Sequence, residues 1–562
     1  TEDYDPLTRF MELFDGVDAK SVRASRAEEL AALPLGERLE RRIVDGERGG
    51  LTVDLDEALT EHSALEIVND ILLDGMKTVG ELFGSGQMQL PFVLQSAEVM
   101  KAAVAFLEPH MERASGESRG RIVLATVRGD VHDIGKNLVD IILTNNGYTV
   151  FNLGIKQPIE RILEVAEAHR PDAIGMSGLL VKSTVVMREN LEEMNRRGVV
   201  LPVILGGAAL TRTYVEADCR AIYRGPLYYA KDAFEGLEVM QEVVAGGAKP
   251  EARARKSSAL SAAARALEAV EELELGKKNG RPVPEELVGV ERARIRRDIA
   301  YPAAPFLGPR LVEGIALQTL LPYINETTLF QFQWGYRRKN RSTREHERFV
   351  AEEVRPLYHA LAKRCEEERI LVPKAAYGFW RCVPEGNTLI LLDPRDEGRE
   401  AARFAFPRQK GKKGLCISDF FRDDGQPDVI ALQVVTVGQQ ASETAREWFA
   451  ADRYQDYLHL HGLSVEAAEG LAEYVHKEIR AQLGIAGDDA RDMRALFKQG
   501  YRGSRYSFGY PACPNLADQE ALLALLGAER LGITLSDEHQ LWPEQSTSAL
   551  VVHHPEAKYF TI

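Results

Sequence analysis

Between residues 22 and 112 apolar side chains return every three or four positions. Leu65, Val68, Leu72, Gly75, Val79 and Leu82 form one stripe, and Val93, Ala97, Met100, Val104 and Leu107 form a second. Each stripe predicts an amphipathic helix, and two such helices make half of a four-helix bundle. The joining stretch, FGSGQMQLP, is expected as a loop, yet it carries Phe83, Met88 and Leu90 where polar residues are the rule. Those side chains either fold back on the bundle or face a ligand.

From about 118 to 245 the period changes. The apolar runs RIVLATV, YTVFN, DAIGMSG, PVILGG and AIYRG alternate with helix-like segments such as ERILEVAEAHR. This rhythm predicts a Rossmann-like (flavodoxin-like) α/β domain, a parallel sheet with helices on both faces and ligands at the carboxyl ends of its strands. Residues 246–285 are rich in Ala, Glu, Lys and Arg between Gly and Pro, which predicts a partly helical linker. Residues 286–562 mix aromatic residues and proline, hold all four tryptophans (Trp334, Trp380, Trp448 and Trp542) and predict an α+β domain. The expected layout is a helical bundle over 1–117, the α/β domain over 118–245, the linker over 246–285 and the α+β domain over 286–562.

A chain of 562 residues exceeds what one core supports, so several domains are expected. No run approaches the roughly 20 apolar residues of a membrane span, and TEDYDPLTRF lacks the regions of a secretory signal. The expectation is therefore a cytoplasmic protein without membrane contact. A formal charge of −15 argues against a nucleic-acid partner, whose phosphates attract basic surfaces. The five cysteines are scattered, so neither a zinc cluster nor a disulfide framework is predicted. A metal here would arrive inside a cofactor.

The sharpest chemistry follows the first strand. RIVLATV leads into Gly129, Asp130, Val131, His132, Asp133 and, two positions on, Gly135. Alone, this is compatible with an ordinary strand-to-helix turn. Two further elements stand in order: Ser177-Gly-Leu179 at the end of the third predicted strand and Gly206-Gly207 at the end of the fourth. Together they resemble the signature of proteins that bind cobalamin with its lower nucleotide arm detached from cobalt. His132 would then offer Nε2 to cobalt, with Nδ1–H on Asp130 and Ser183 completing a relay. Gly135, Gly206 and Gly207 would leave room for the displaced nucleotide tail.

Taken with RYSFGYPACP (505–514), this order of domains resembles the cobalamin-dependent methionine synthase family over essentially the whole chain. The resemblance implies a methyltransferase. In it methylcobalamin carries a methyl group from methyltetrahydrofolate to homocysteine, and oxidised Co(II) is reductively methylated with S-adenosylmethionine. It implies that Phe83 and Leu90 cap the methyl face of the corrin, with Gly129, Val131, Asp133, Leu179 and Ala233 among the cobalamin contacts. In the last domain Arg505 would hold the carboxylate of S-adenosylmethionine, and Gly509 and Tyr510 would line the site. Tyr559 and Phe560 would lie near the adenosyl group, and Glu469 would face the sulfonium or ammonium.

Three positions depart from the family pattern: Asn325 stands for an aspartate, Asn69 for a glutamate and Val181 for a threonine. The family's homocysteine and methyltetrahydrofolate modules, and the zinc of the former, have no counterpart here, so the chain reads as a fragment. A flavodoxin-type electron donor, a monomeric state and exchange of cap for reactivation domain over one corrin face are further implications. Among rivals, a bare corrinoid methyl carrier would end near residue 245. A cobalamin-responsive regulator would need a basic helix-turn-helix, and a radical mutase a large barrel.

Overall fold

The apolar stripes of residues 35–107 are buried in a bundle of helices. The computed structural model describes residues 30, 32–84, 87–110, 118–179, 181–207, 210–246, 293–338, 341–409, 414–537 and 539–560. They fall into two units divided after Glu117. In the first, α1 (Leu35–Asp45) and α2 (Leu51–Ala58) precede α3, which runs as Ala64–Glu66, a π-helical stretch Ile67–Leu72 and Leu73–Gly84; α4 is Leu90–Leu107. A capping box opens α3, with the Ser63 hydroxyl accepting from the Glu66 amide and the Glu66 side chain returning to Ser63. The wider π turn rotates the buried face, so Ile67, Leu72, Met76 and Val79 are buried while Val68 is only partly covered. Gly75 lets α3 approach α1, because a Cβ there would sit 3.0 Å from the Ile43 Cβ.

In α4, Val93, Ala97, Met100, Ala103 and Leu107 are buried and Val104 is only partly so. The helix is long and apolar enough to cross a membrane by length and composition alone, and half of it is buried. The joining stretch is shorter than its sequence predicts. Phe83 lies in the last turn of α3 and Leu90 opens α4, each partly buried.

The second unit begins with five strands: β1 (Arg121–Thr126), β2 (Thr149–Asn152), β3 (Ala173–Ser177), β4 (Val203–Gly206) and β5 (Leu227–Ala230). They pair in the order β2-β1-β3-β4-β5, all parallel. Helices α5 (Ile134–Thr144), α6 (Ile159–His169), α7 (Val181–Arg196) and α8 (Ala233–Val244) cross between or follow them. Because alternate residues point to opposite faces, Val123, Ala125, Ile174 and Val203 pack toward Ile162, Met187 and Leu191, while Ile122, Leu124 and Ile204 pack toward Leu143 and Met240. One expected strand is wrong: AIYRG is not the fifth. Arg220–Ile222 is helical, and the chain turns extended only at Tyr223 before β5 begins at Leu227. The buried Tyr223 ring belongs to the core under β1, β3 and β4, so it is apolar by packing rather than by strand pairing. The order reverses between β1 and β3, the switch point where such sheets gather ligands. The linker stretch, apart from Gly246, lies outside the described residues.

The rest of the unit is a seven-stranded antiparallel sheet. Its path is β11 (Ser504–Ser507), β14 (Ser546–Val552), β10 (Asp428–Thr436), β7 (Lys374–Glu385), β8 (Thr388–Asp393) and β9 (Asp396–Ala405), and β6 (Gly308–Val312) pairs with the first half of β7, while β12 (Thr534–Leu535) and β13 (Leu541–Trp542) form a separate antiparallel pair. Every residue of β10 is buried, as expected of a central strand covered on both faces. One face packs on α9 (Arg355–Glu367), α10 (Gln440–Ala450) and the 29-residue α11 (Tyr454–Gln482). The other covers a core with Trp380, Phe404 and Phe420 against α12 (Asp518–Leu526).

The two sheets, predicted as separate domains, pack within one unit. The Ser536 hydroxyl donates to the Gly129 carbonyl at 3.0 Å, the Val131 amide donates to Gln540 Oε1 at 3.2 Å, and Asn137 Nδ2 donates to the Tyr457 hydroxyl at 3.1 Å. The Lys156 ammonium lies 5.0 Å from the centre of the Trp542 ring.

Candidate cofactor site

After β1 the chain turns at Gly129, whose φ is 78°, and enters α5 at Ile134 with Asp133 at the N-cap. Asp130 is fully buried in that turn. Its Oδ1 accepts from the His132 amide at 3.0 Å and lies 2.8 Å from His132 Nδ1; its Oδ2 accepts from the Leu179 amide at 2.7 Å and from the Ser183 hydroxyl at 2.5 Å. Burial acts to raise the Asp130 carboxyl, but the His132 bond and charge and the Ser183 bond outweigh it and hold it below its usual range. Burial likewise acts to lower the His132 imidazole, and the Asp130 bond with the charges of Glu544, Asp130 and Asp133 raises it above its usual range. A carboxylate that accepts from Nδ1–H fixes the tautomer, so Nε2 is the ring nitrogen able to donate to a metal.

His132, Gly135, Ser177, Leu179, Gly206, Gly207 and Ala233 all line one cavity of about 540 Å³ that reaches down between the sheet and helices α5 and α8. The cavity passes Ile122, Leu124, Leu138 and Leu143, so a long ligand arm would meet an apolar slot. A Cβ added at Gly135 would meet nothing within 4 Å and would project into open space. Gly207 has a further reason beside the one its motif suggests. Its φ is 141° and a Cβ would lie 1.8 Å from the Gly178 carbonyl oxygen, so the glycine permits contact between the ends of β3 and β4. At Gly206 a Cβ would stand 3.3 Å from the Ala230 carbonyl. The side chains of Asn69 and Val181 lie outside the described residues, and Phe83 and Leu90 belong to the other unit.

Val131 and Asp133 line a second cavity, of about 420 Å³, whose far wall carries Tyr457, His461, Trp542 and Glu544. Glu544 Oε1 is 3.9 Å from His461 Nε2. Burial pushes its carboxyl up, against the pull of His461 and His132. Lys136, nearly fully buried, lines both cavities and donates to Asn152 Oδ1 at 2.6 Å. Glu544, Tyr457, His461 and Lys136 are functional candidates that the sequence reading does not name. Only Lys136 had a signal, its place beside Gly135.

In the last domain β11 presents Arg505, whose Nη2 lies 3.1 Å from Glu469 Oε2 on α11. Glu469, expected to face a ligand, is thus the counter-ion of Arg505 itself. Gly509 has φ 85°, Tyr510 is 56% exposed, and its ring meets Tyr559 edge-on at 6.5 Å between centres. Phe560 lies behind that surface: its ring is buried against Tyr506 and Phe420, whereas Tyr559 is exposed. Asn325 Oδ1 accepts from the Thr327 and Thr328 amides and so caps a helical turn. That turn follows Tyr323 and Ile324, which pack on Gly470 of α11, next in sequence to Glu469.

One turn before Glu469, burial pushes the Glu466 carboxyl up to about 7 from 4.5. A folded value above the unfolded one means that stability from this group is full below pH 4.5 and lost as pH rises to about 7. Glu466→Gln should therefore stabilise the chain on the order of 2 kcal/mol at about pH 8 and give little gain near pH 5. Thermal melts at both values check this, and equal shifts would contradict it.

Fold and site together define a cobalamin-binding protein with an appended activation domain. Family models agree: "B12 binding domain" descriptions match residues 35–108 and 120–238, and "Vitamin B12 dependent methionine synthase, activation domain" matches 316–562. The chain thus carries the B12-binding and activation domains of vitamin B12-dependent methionine synthase. It is 52% identical over 582 residues to methionine synthase of Mycobacterium tuberculosis (strain ATCC 25618 / H37Rv) and 50% identical over 589 residues to that of Mycobacterium leprae (strain TN). Each alignment covers 100% of this chain and 49% of the relative, so the chain spans about half the length of the curated relatives it matches. A crystallised MetH reactivation domain bound to AdoHcy is 24% identical, with a TM-score of 0.44 over 50% of this chain and 88% of its own.

Proposed function

We propose that this chain is the part of a methionine synthase that holds cobalamin and restores it with S-adenosylmethionine. The observation that carries the reading is the Asp130–His132 pair at the mouth of an apolar slot, with the activation domain hydrogen-bonded to the same loop. Bound cobalamin would supply methyl transfer between methyltetrahydrofolate and homocysteine, and its oxidised form would be restored by one electron from a separate donor together with the methyl group of S-adenosylmethionine. His132 would hold the metal through Nε2, with Asp130 and Ser183 orienting the ring and taking up or releasing its proton. Gly135, Ser177, Leu179, Gly206, Gly207 and Ala233 accommodate the nucleotide arm. Gly129, Val131 and Asp133 present the loop, and Phe83 and Leu90 shield the methyl group, with Asn69 and Val181 as weaker cofactor contacts.

Arg505 binds the carboxylate of S-adenosylmethionine, Glu469 its ammonium, and Gly509, Tyr510 and Tyr559 form the wall, backed by Phe560 from the core, with Asn325 at the edge. Residues 1–117, 118–245 and 286–562 act as cap, cofactor and reactivation domains around a 246–285 linker. The protein works in the cytoplasm as a monomer, with homocysteine and methyltetrahydrofolate modules and a flavodoxin-type electron donor as partners. A bare carrier or a regulator is not favoured, because the activation-domain match extends over 316–562.

Reductive methylation tests the reading. The chain with oxidised cobalamin, a reductant and S-adenosylmethionine should yield the methylated cofactor, followed by visible absorption. Arg505→Ala should lose roughly 10- to 100-fold at limiting S-adenosylmethionine, since charge-assisted hydrogen bonds are worth about 1.5–3 kcal/mol. An unchanged rate would remove Arg505 from the site.

A further inference from the structure

Helix α11 carries Glu469, Glu473, His476 and Arg480 at spacings of four, three and four, which places them on one stripe. Arg505 reaches this stripe between the first two: its Nη2 is 3.1 Å from Glu469 Oε2 and 4.0 Å from Glu473 Oε2. The two carboxylates differ in setting. The Glu469 side chain is 50% exposed and that of Glu473 only 10%. Behind Glu473 lies a second guanidinium that is fixed in place. Arg480, with a 1% exposed side chain, donates to Asp489 through Nε at 3.0 Å and Nη2 at 2.8 Å, and stacks over the Tyr501 ring at 4.2 Å. Its remaining Nη1 faces Glu473 Oε1 at 3.7 Å, and neither atom has a hydrogen-bond partner among the described residues.

Like charges one helical turn apart repel, and here Arg505 stands between them. An exposed pair is weak and screened, whereas a buried carboxylate between two guanidinium groups is held by its surroundings. A ligand carboxylate arriving at Arg505 therefore displaces Glu469 and not Glu473. The freed Glu469 then stands beside a bound carboxylate, where an α-ammonium group would lie.

We propose that Glu473 is the positioning residue of this site: it anchors the Arg505 guanidinium from the buried side, so that Arg505 and Glu469 together read the zwitterionic head of an α-amino acid. The inference rests on the assignment of S-adenosylmethionine to Arg505.

Calorimetric titration of the whole chain with S-adenosylhomocysteine and with 5′-methylthioadenosine, which lacks the amino-acid head, tests it. Glu473→Gln keeps the shape and removes the charge. It should weaken S-adenosylhomocysteine about tenfold and leave methylthioadenosine within about twofold. Glu473→Asp should recover part of the loss. Equal weakening of both ligands would show a packing role and overturn the proposal, as would parental affinity for both. An Arg505→Ala chain that keeps parental affinity for S-adenosylhomocysteine would instead overturn the site assignment beneath it.

Discussion

Alanine at position 132 should abolish nitrogen coordination of the bound cofactor while leaving the fold in place. The His132 side chain is 24% exposed, so its removal opens little of the core. Asp130 keeps the His132 amide, the Leu179 amide and the Ser183 hydroxyl as donors, which continue to define the loop. The stability cost should stay within about 1.5–3 kcal/mol, the range for one lost hydrogen bond to a charged group. Electron paramagnetic resonance of the Co(II) form reads the outcome: nitrogen hyperfine splitting in the parent and none in His132→Ala. Splitting that survives would assign the ligand elsewhere. Asp130→Asn should be milder, since an amide preserves the shape of the turn but cannot orient Nδ1–H as a carboxylate does; roughly 10- to 100-fold in activity is the usual effect of losing such a partner.

Gly207→Ala should be the most damaging single methyl group in the α/β domain. A Cβ there would lie 1.8 Å from the Gly178 oxygen and 3.0 Å from its carbon, in a backbone conformation that L residues rarely adopt. Gly178 has little room to retreat, because its own Cβ position is 2.4 Å from the Ser183 Cβ. Relief requires moving the end of β3, and with it the Leu179 amide that bonds Asp130. A loss above about 4 kcal/mol is expected, together with loss of cobalamin uptake, measured by denaturant unfolding and visible absorption. Gly135→Ala provides the contrast. Its methyl group meets open space, so stability should hold while cofactor uptake falls. Equal stability losses at the two positions would show that Gly207 is not held by the Gly178 contact.

What the sequence discloses here depends on how far each signal travels. Alternation and three-to-four spacing are local, and they place the bundle helices, four of the five parallel strands and the Asp130-to-Gly135 loop where the structure has them. The same logic misreads AIYRG, since Tyr223 is buried by tertiary packing and pattern alone cannot separate that from pairing. The different settings of Tyr559 and Phe560 are hidden for a related reason: Phe560 is buried against Tyr506 and Phe420 by tertiary packing, which the order of the two aromatic residues does not disclose. The Arg505–Glu469 pair is hidden because its partners sit on a strand and a helix 36 positions apart. Gln540 and Ser536 are more than 400 positions from the loop they touch. No short motif encodes such a meeting.

The contacts between the two sheets also differ in how they are written into the chain. Ser536 and Gln540 bond the carbonyl of Gly129 and the amide of Val131, groups that every residue but proline possesses. Asn137 and Tyr457 meet through side chains. Divergence at position 131 is thus invisible to the interface so long as the turn keeps its shape, and only the serine and the glutamine are under restraint there. The asparagine and the tyrosine, by contrast, share a fate: a change in one is tolerated when the other changes to suit it. Across many descendants of this gene, the first two bonds should leave a one-sided record of inheritance and the third a paired one.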